Sequence, residues 1–231
     1  MTETLYKLVR GDMTTRDGYE WTIGKRHRAT GERGQGLCSD EYLHCYRSLE
    51  MAELLRIAHG IPGHCRALEV SGRVYEDDGT KVGVRQCVVI REVKPVNLTT
   101  KQRVAAAILC ASRVYGNPEW IEWAHGWLGG RDRSKDSAHV AAAAYADANA
   151  DANAAAAAGA AANAAADAAA YADAYADAAY SAANADAADA AYAAAYADAY
   201  RDWKIDIHSI ICAVISTPES EWETLLEEYN D

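Results

Sequence analysis

The chain has 231 residues, 25% of them charged, and a net charge of −11. That acidity is lopsided: residues 1–97 carry 15 Lys and Arg against 14 Asp and Glu, whereas residues 98–231 carry 8 against 20. A second half so poor in cations is excluded as a general nucleic-acid or anionic-membrane binder, because both need positive charge; a basic partner, or mimicry of a polyanion, stays open.

In chain order, Leu5 to Arg10 reads as a first strand and Tyr19 to Ile23 as a second. A loop with Gly31, Gly34 and Gly36 follows, without the flanking strand and helix of a dinucleotide fingerprint. Ser48 is a candidate N-cap for a helix reaching about His59, with Met51, Leu54, Leu55 and Ala58 on one side. Arg66 to Tyr75 and Lys81 to Val93 alternate apolar and polar residues around Asp78-Gly79, which predicts a hairpin. Its apolar face is read as Leu68, Val70 and Val74 with Val82, Val84, Val88 and Ile90.

Past the linker at Pro95, Thr99 and Gln102 have capping-box spacing and open a helix to about Tyr115, with Val104, Ile108, Ala111 and Tyr115 as its buried stripe. Asn117-Pro118 opens a shorter helix bearing Trp120, Trp123 and Trp127, stopped by Gly129-Gly130. These tryptophans read as core rather than ligand cage. Arg131, Arg133 and Lys135 form the basic cluster of the second half.

From Ala138 to Tyr200, 40 of 63 residues are alanine, and most others are Tyr, Asp or Asn. Alanine is the best helix former, so the tract is predicted helical. Helix-weak residues at 149–153, Gly159 and 181–186 divide it into two or three antiparallel helices. Ala165, Ala169, Ala172, Ala176, Ala179 and Ala183 share a methyl-only arc suited to close helix contact, within the chain or between copies. Tyr192, Tyr196, Tyr200, Trp203, Ile207, Ile210, Ile211 and Val214 extend one stripe to about Ile215. Thr217-Pro218-Glu219 then caps an acidic helix through Leu225. The fold class expected is α+β: a small antiparallel-sheet domain over 1–95, then an all-α, alanine-rich antiparallel helical bundle over 96–231.

The cysteines at 38, 45, 65, 87, 110 and 212 show no zinc spacing. Cys38, His44, Cys45, His64 and Cys65 are the candidates for a thiolate–imidazole pair or metal site, weighed against structural thiols, which a buried free cysteine usually is. No metal or cofactor is expected. Glu3, Lys7 and Arg10 interrupt any apolar leader, and the aspartates of the alanine tract keep it from spanning a bilayer, so a cytoplasmic protein with reduced thiols is the expectation. Regularly spaced tyrosines and aspartates, Tyr171, Asp173, Tyr175, Asp177, Asp186 and Asp189, are the candidate partner-binding surface.

Gly36-Leu-Cys-Ser-Asp-Glu-Tyr-Leu-His-Cys45, Leu68-Glu-Val-Ser-Gly72 and Asp78-Gly-Thr-Lys-Val82 in the first half resemble an uncharacterised family of bacteriophage and prophage proteins. In the second half Leu98-Thr-Thr-Lys-Gln-Arg103, Ile108-Leu-Cys110, Val114-Tyr115, Trp123-Ala124, Trp127-Leu128 and Arg133-Ser134 resemble the same family's lead into an alanine-rich tail. That part is also similar to immunity-protein domains of bacterial toxin systems. The resemblance implies a phage-encoded accessory protein acting in the bacterial cytoplasm and brings no catalytic residues with it; the function expected is non-enzymatic binding of a host or anti-phage defence component. An acidic DNA mimic is the alternative binder. The enzymatic alternative rests on a looser likeness to ADP-ribosyltransferases, which implies Arg10 and His44 as nicotinamide-cofactor contacts and Glu69 as the catalytic acid.

Overall fold

The structure is a computed structural model; it describes residues 1–15, 18–56, 65–144, 152–174, 186–187, 190–191, 193 and 206–230. The fold is mixed α and β, with a five-stranded antiparallel sheet and, among the described residues, seven α-helices. It divides into two compact units, Met1–Asn97 and Leu98–Asp231.

In the first unit, β1 (Glu3–Arg10), β4 (Cys65–Asp77) and β5 (Val82–Val93) are the long strands; β2 (Arg26–Arg28) and β3 (Leu43–Cys45) both pair with the outer edge of β5. Asp78 makes the β4–β5 turn by accepting from the backbone of Thr80 (2.9 Å) and Lys81 (2.8 Å), and Gly79 supplies the positive φ of 81°. Just beyond β3, Tyr46 exchanges both backbone hydrogen bonds with Tyr6 of β1, 2.8 Å each way. The neighbour sequence β1–β4–β5–β3 therefore returns to β1, and the sheet closes on itself around one interior.

Bulges make that curvature and correct the predicted apolar face of β5. The register steps from Gly72↔Cys87 to Val74↔Val84, and from Glu69↔Arg91 to Val70↔Val89, so β5 carries an extra residue at each place. A one-residue slip exchanges the faces of a strand. Val82 and Val84 point inward as expected, but beyond the bulge Cys87 and Val89 take the interior while Ile90 is 49% exposed. The expected strand at Tyr19–Ile23 is also corrected: it contributes only an isolated bridge, Thr14↔Glu20, and Trp21 folds into the core. Strands β2 and β3, with three residues each, are too short to show alternation. Ser48 caps α1 (Leu49–Leu55), accepting from the Met51 N–H at 3.1 Å; the helix ends at Leu55, and His59 lies outside the described residues.

The second unit is built on α2 (Thr100–Ser112), whose capping box forms between Thr99 and Gln102. The expected single stripe understates its burial: Arg103 through Ser112 are all buried. Around α2 lie α3 (Pro118–Leu128), α4 (Lys135–Ala144), α5 (Ala152–Ala174), α6 (Ile207–Ser216) and α7 (Trp222–Asn230); α2 itself touches α3, α5, α6 and α7. Helix α5 runs through Gly159, where a break was expected. One contiguous helix is consistent with an alanine-rich segment absorbing a single glycine at a cost of about 1 kcal/mol.

Helix α5 packs against both α2 and α4. Ala157, Ala158, Ala161, Ala162, Ala164 and Ala165 are at most 1% exposed, whereas Ala156 and Asn163 face solvent and Ala160 and Asp167 are half-buried. Of the predicted alanine arc, Ala165 is buried and Ala169 half-buried, Ala172 is placed only as backbone, and Ala176, Ala179 and Ala183 lie outside the described residues. The stripe Ile207, Ile210, Ile211 and Val214 is buried as expected, but Asp206 caps α6 afresh by accepting from the Ser209 N–H at 3.0 Å, so this helix starts there. Pro218 makes no side-chain cap; a 3-10 turn, Glu219–Glu221, leads into α7, which runs past Leu225.

Candidate functional site

The three residues of the transferase layout each serve a local structural bond. Arg10 is exposed and donates to the Thr15 carbonyl at 3.5 Å. His44 lies in β3, with Nε2 against the Leu37 carbonyl, and burial lowers its pKa. Glu69 accepts from Arg91 Nε at 3.1 Å and Nη2 at 2.7 Å. No hydrogen bond or ion pair joins any two of the three among the described residues, although His44 does precede a helix, α1.

The thiol candidates separate as well. Cys38 is exposed, Cys65 places its thiol 3.9 Å from Glu53 Oε2, and His64 lies outside the described residues. Among the described residues no three His, Cys, Asp or Glu side chains converge as metal ligands. Cys45 instead shares the core with Cys87, a residue the sequence reading did not single out. The two thiols are buried in the same core inside the closed sheet, at 0% and 2% exposure. Lys7, 9% exposed, donates to the His44 carbonyl at 2.8 Å and sits 5.2 Å from the Trp21 ring centroid. A signal was available: Lys7 occupies an inward position between Leu5 and Val9, where a solvated strand face would not place it.

In the second unit the tryptophans of α3 divide by role. Trp120 and Trp127 are core, at 0% and 2% exposure; Trp120 donates its indole N–H to the Ala158 carbonyl at 3.2 Å, tying α3 to α5. Trp123 is half-buried, 5.5 Å from Trp120, and lines a groove of about 470 Å³ between α3 and α4. Gly126, Ala141 and Val140 contribute apolar surface, and Val140 is 72% exposed. The carboxylates Glu119, Glu122 and Asp132 also border the groove and are exposed. The Trp123 Nε1–H is buried and has no hydrogen-bond partner among the described residues. A buried donor without an acceptor costs about 1–3 kcal/mol, so a bound acceptor would relieve it.

Two members of the basic cluster beside this groove, Arg131 and Arg133, are already engaged. Arg131 pairs with Glu223, and Arg133 pairs with Glu219, donates to the Trp127 carbonyl at 2.8 Å and stacks 4.7 Å over the Trp127 ring and 5.9 Å from Trp222. These bonds hold the C-terminal turn and α7 against α3. Arg133→Ala is expected to cost about 1–2 kcal/mol in thermal or urea unfolding, while Arg133→Lys recovers only part because it lacks the planar fork. Both carboxyls lie below their usual range. For Glu223 the Arg131 hydrogen bond leads; for Glu219 burial pushes upward but is outweighed by Lys101 and Arg133. With folded pKa values depressed, this contribution is present above the unfolded value of about 4.3 and is lost as pH falls below it.

Of the proposed partner surface, Tyr175, Asp177 and Asp189 lie outside the described residues, and Tyr171 and Asp173 are placed only as backbone of α5. Asp186 is half-buried in a helical stretch. No described helix is long and apolar enough to cross a membrane. Comparison with family models, with curated proteins and with solved structures gave no significant match.

Proposed function

We propose that this is a non-enzymatic, phage-encoded accessory protein that acts in the bacterial cytoplasm by binding a host or anti-phage defence protein. Its second unit is read as an alanine-rich helical bundle that presents the α3–α4 groove. The observation that carries the reading is the Trp123 groove itself: apolar surface, an unpartnered indole N–H and three exposed carboxylates meet in one place. A partner segment that fits is an amphipathic one, with an apolar side chain to lie on Trp123 and Val140, a carbonyl or hydroxyl acceptor for Nε1, and Lys or Arg residues opposite Glu119, Glu122 and Asp132. The acidic balance of the second half favours such a cationic partner by steering its approach. The groove lies in the range of small recognition sites, about 300–1,000 Å³.

The test is capture from host lysate with wild type, Val140→Glu and Trp123→Ala, each checked for folding by circular dichroism, followed by binding of the purified captured protein. A specific partner should lose affinity at least tenfold with either variant and weaken with added salt. A partner held equally by all three folded proteins would remove the groove from its binding site. Competition by DNA would shift the reading to polyanion mimicry, and transfer from labelled NAD abolished by Glu69→Gln would shift it to the transferase.

A further inference from the structure

Charge is unevenly spread over the closed sheet of the first unit. Residues 24–31, 70–75 and 82–91 make up β2 with its flanks, the middle of β4 and most of β5, which are neighbours in the sheet. They carry six of the unit's 15 Lys and Arg and none of its 14 Asp and Glu. The register fixes where those cations stand. Val88 pairs with both Ser71 and Arg26, and Gln86 pairs with Arg28, while the intervening Cys87 pairs with buried Gly72 and buried His27. Paired residues share a face and successive residues alternate. Arg26 and Arg28 therefore lie on the outer face beside Gln86 and Val88, and exposed Arg73, next after Gly72, joins them from β4.

The same face presents an aromatic ring. Tyr75 is 44% exposed, and the guanidinium carbons of Arg73 and Arg85 lie 5.2 Å and 5.1 Å from its centroid. Arg85 also sits 5.5 Å from the ring of Tyr42, which packs on β5 at Gly83. Elsewhere in the unit the arginines are matched: Arg47 with Glu3 and Asp77, Arg66 with Glu92, Arg91 with Glu69. Arg85 is matched by Glu41. Arg26, Arg28 and Arg73 have no carboxylate partner among the described residues. Three unmatched cations within two strand spacings, about 10 Å, repel one another and attract a polyanion.

We propose that this outer face, with Arg26, Arg28 and Arg73 around Tyr75, binds single-stranded nucleic acid. The guanidiniums offer paired N–H donors to backbone phosphates. An unpaired base stacks on the exposed surface of Tyr75 and Arg73, and Ser71 and Gln86 stand between the arginines as hydrogen-bonding groups for its edge. A duplex keeps its bases inside and would engage the cations alone. The chain's net charge of −11 opposes approach, but screening confines that opposition to about 8 Å at physiological ionic strength, so the face itself decides contact.

The test is fluorescence anisotropy of the full chain with labelled oligo-dT and oligo-U of about 12 nucleotides, compared with duplex DNA and with anionic vesicles. Wild type should bind both single strands at low salt, and log affinity should fall with log salt at a slope of about −2, as three phosphate contacts require. Replacing Arg26, Arg28 and Arg73 together with alanine should weaken binding at least about tenfold and flatten that slope. Tyr75→Ala should weaken it about tenfold at unchanged slope, whereas Tyr75→Phe keeps the ring and should bind like wild type. Arg66→Ala removes an equal charge from a matched pair and should change affinity by less than about twofold. Circular dichroism checks that each variant is folded. Since the face belongs to the first unit, Trp123→Ala should leave oligonucleotide binding unchanged. Absence of binding by wild type at low salt would overturn the proposal, as would duplex or vesicles bound more tightly than single strands. An equal loss in Arg66→Ala and Arg73→Ala would overturn it too, because net charge and not this face would then account for the affinity.

Discussion

Trp120→Ala is expected to destabilise the second unit by about 3–5 kcal/mol, the usual range for truncating a fully buried indole. Trp120 is 0% exposed, meets the Tyr115 ring edge-on at 5.7 Å and 90°, and hydrogen-bonds to α5 through Ala158. Removing it leaves a cavity where α2, α3 and α5 converge, lined by alanine methyl groups too short to refill it. Trp120→Phe retains most of the ring and should cost less, about 1–2 kcal/mol including the lost N–H. Urea unfolding followed by helical circular dichroism measures both. A loss below 1 kcal/mol for Trp120→Ala would mean that α3 is not anchored on α5 through this residue.

Ala161→Leu should cost about 1–3 kcal/mol through overpacking, although leucine and alanine are both good helix formers. Ala161 is 0% exposed on α5, which packs against α2 on one side and α4 on another. Alanine permits helix axes to approach near 8 Å, the close end of the normal range, and a leucine there would have to push one neighbour away. Ala156→Leu is the matched control on the exposed line of the same helix, with an expected change within about 0.5 kcal/mol. Equal stability of the two variants would show that the alanine arc is not a close contact. The comparison reads packing alone, since the substitution and its helix propensity are the same at both sites.

Both predictions depend on contacts that the sequence could indicate only in part. Local signals were legible because their causes are local: Ser48, Thr99 with Gln102, and Asn117-Pro118 satisfy N–H groups within three residues of themselves, and Asp78-Gly79 sets its own turn. Alanine likewise specifies helix wherever it dominates. Its identical small side chains, however, say little about which face is covered, and that is why α5 could be read as helical while its two packing partners could not.

The candidate sites were harder for the same reason. Trp120, Trp123 and Trp127 look alike in sequence, and only the positions of α4 and α5 leave the first and third in the core and the second beside a groove. Cys87 came to the interior because an extra residue in β5 changed the face on which it points, an irregularity invisible to a period of two. By itself, then, the sequence determined the helix in the described part of the alanine tract, the caps, the hairpin and the acidic balance, since these follow from propensity, short-range hydrogen bonding and composition. The tertiary structure decided what no local rule carries: closure of the sheet through Tyr6 and Tyr46, the burial of Lys7, Cys45 and Cys87 in its interior, and the Trp123 groove. Each of these joins residues whose separation along the chain is bridged only when strands curl or helices pack.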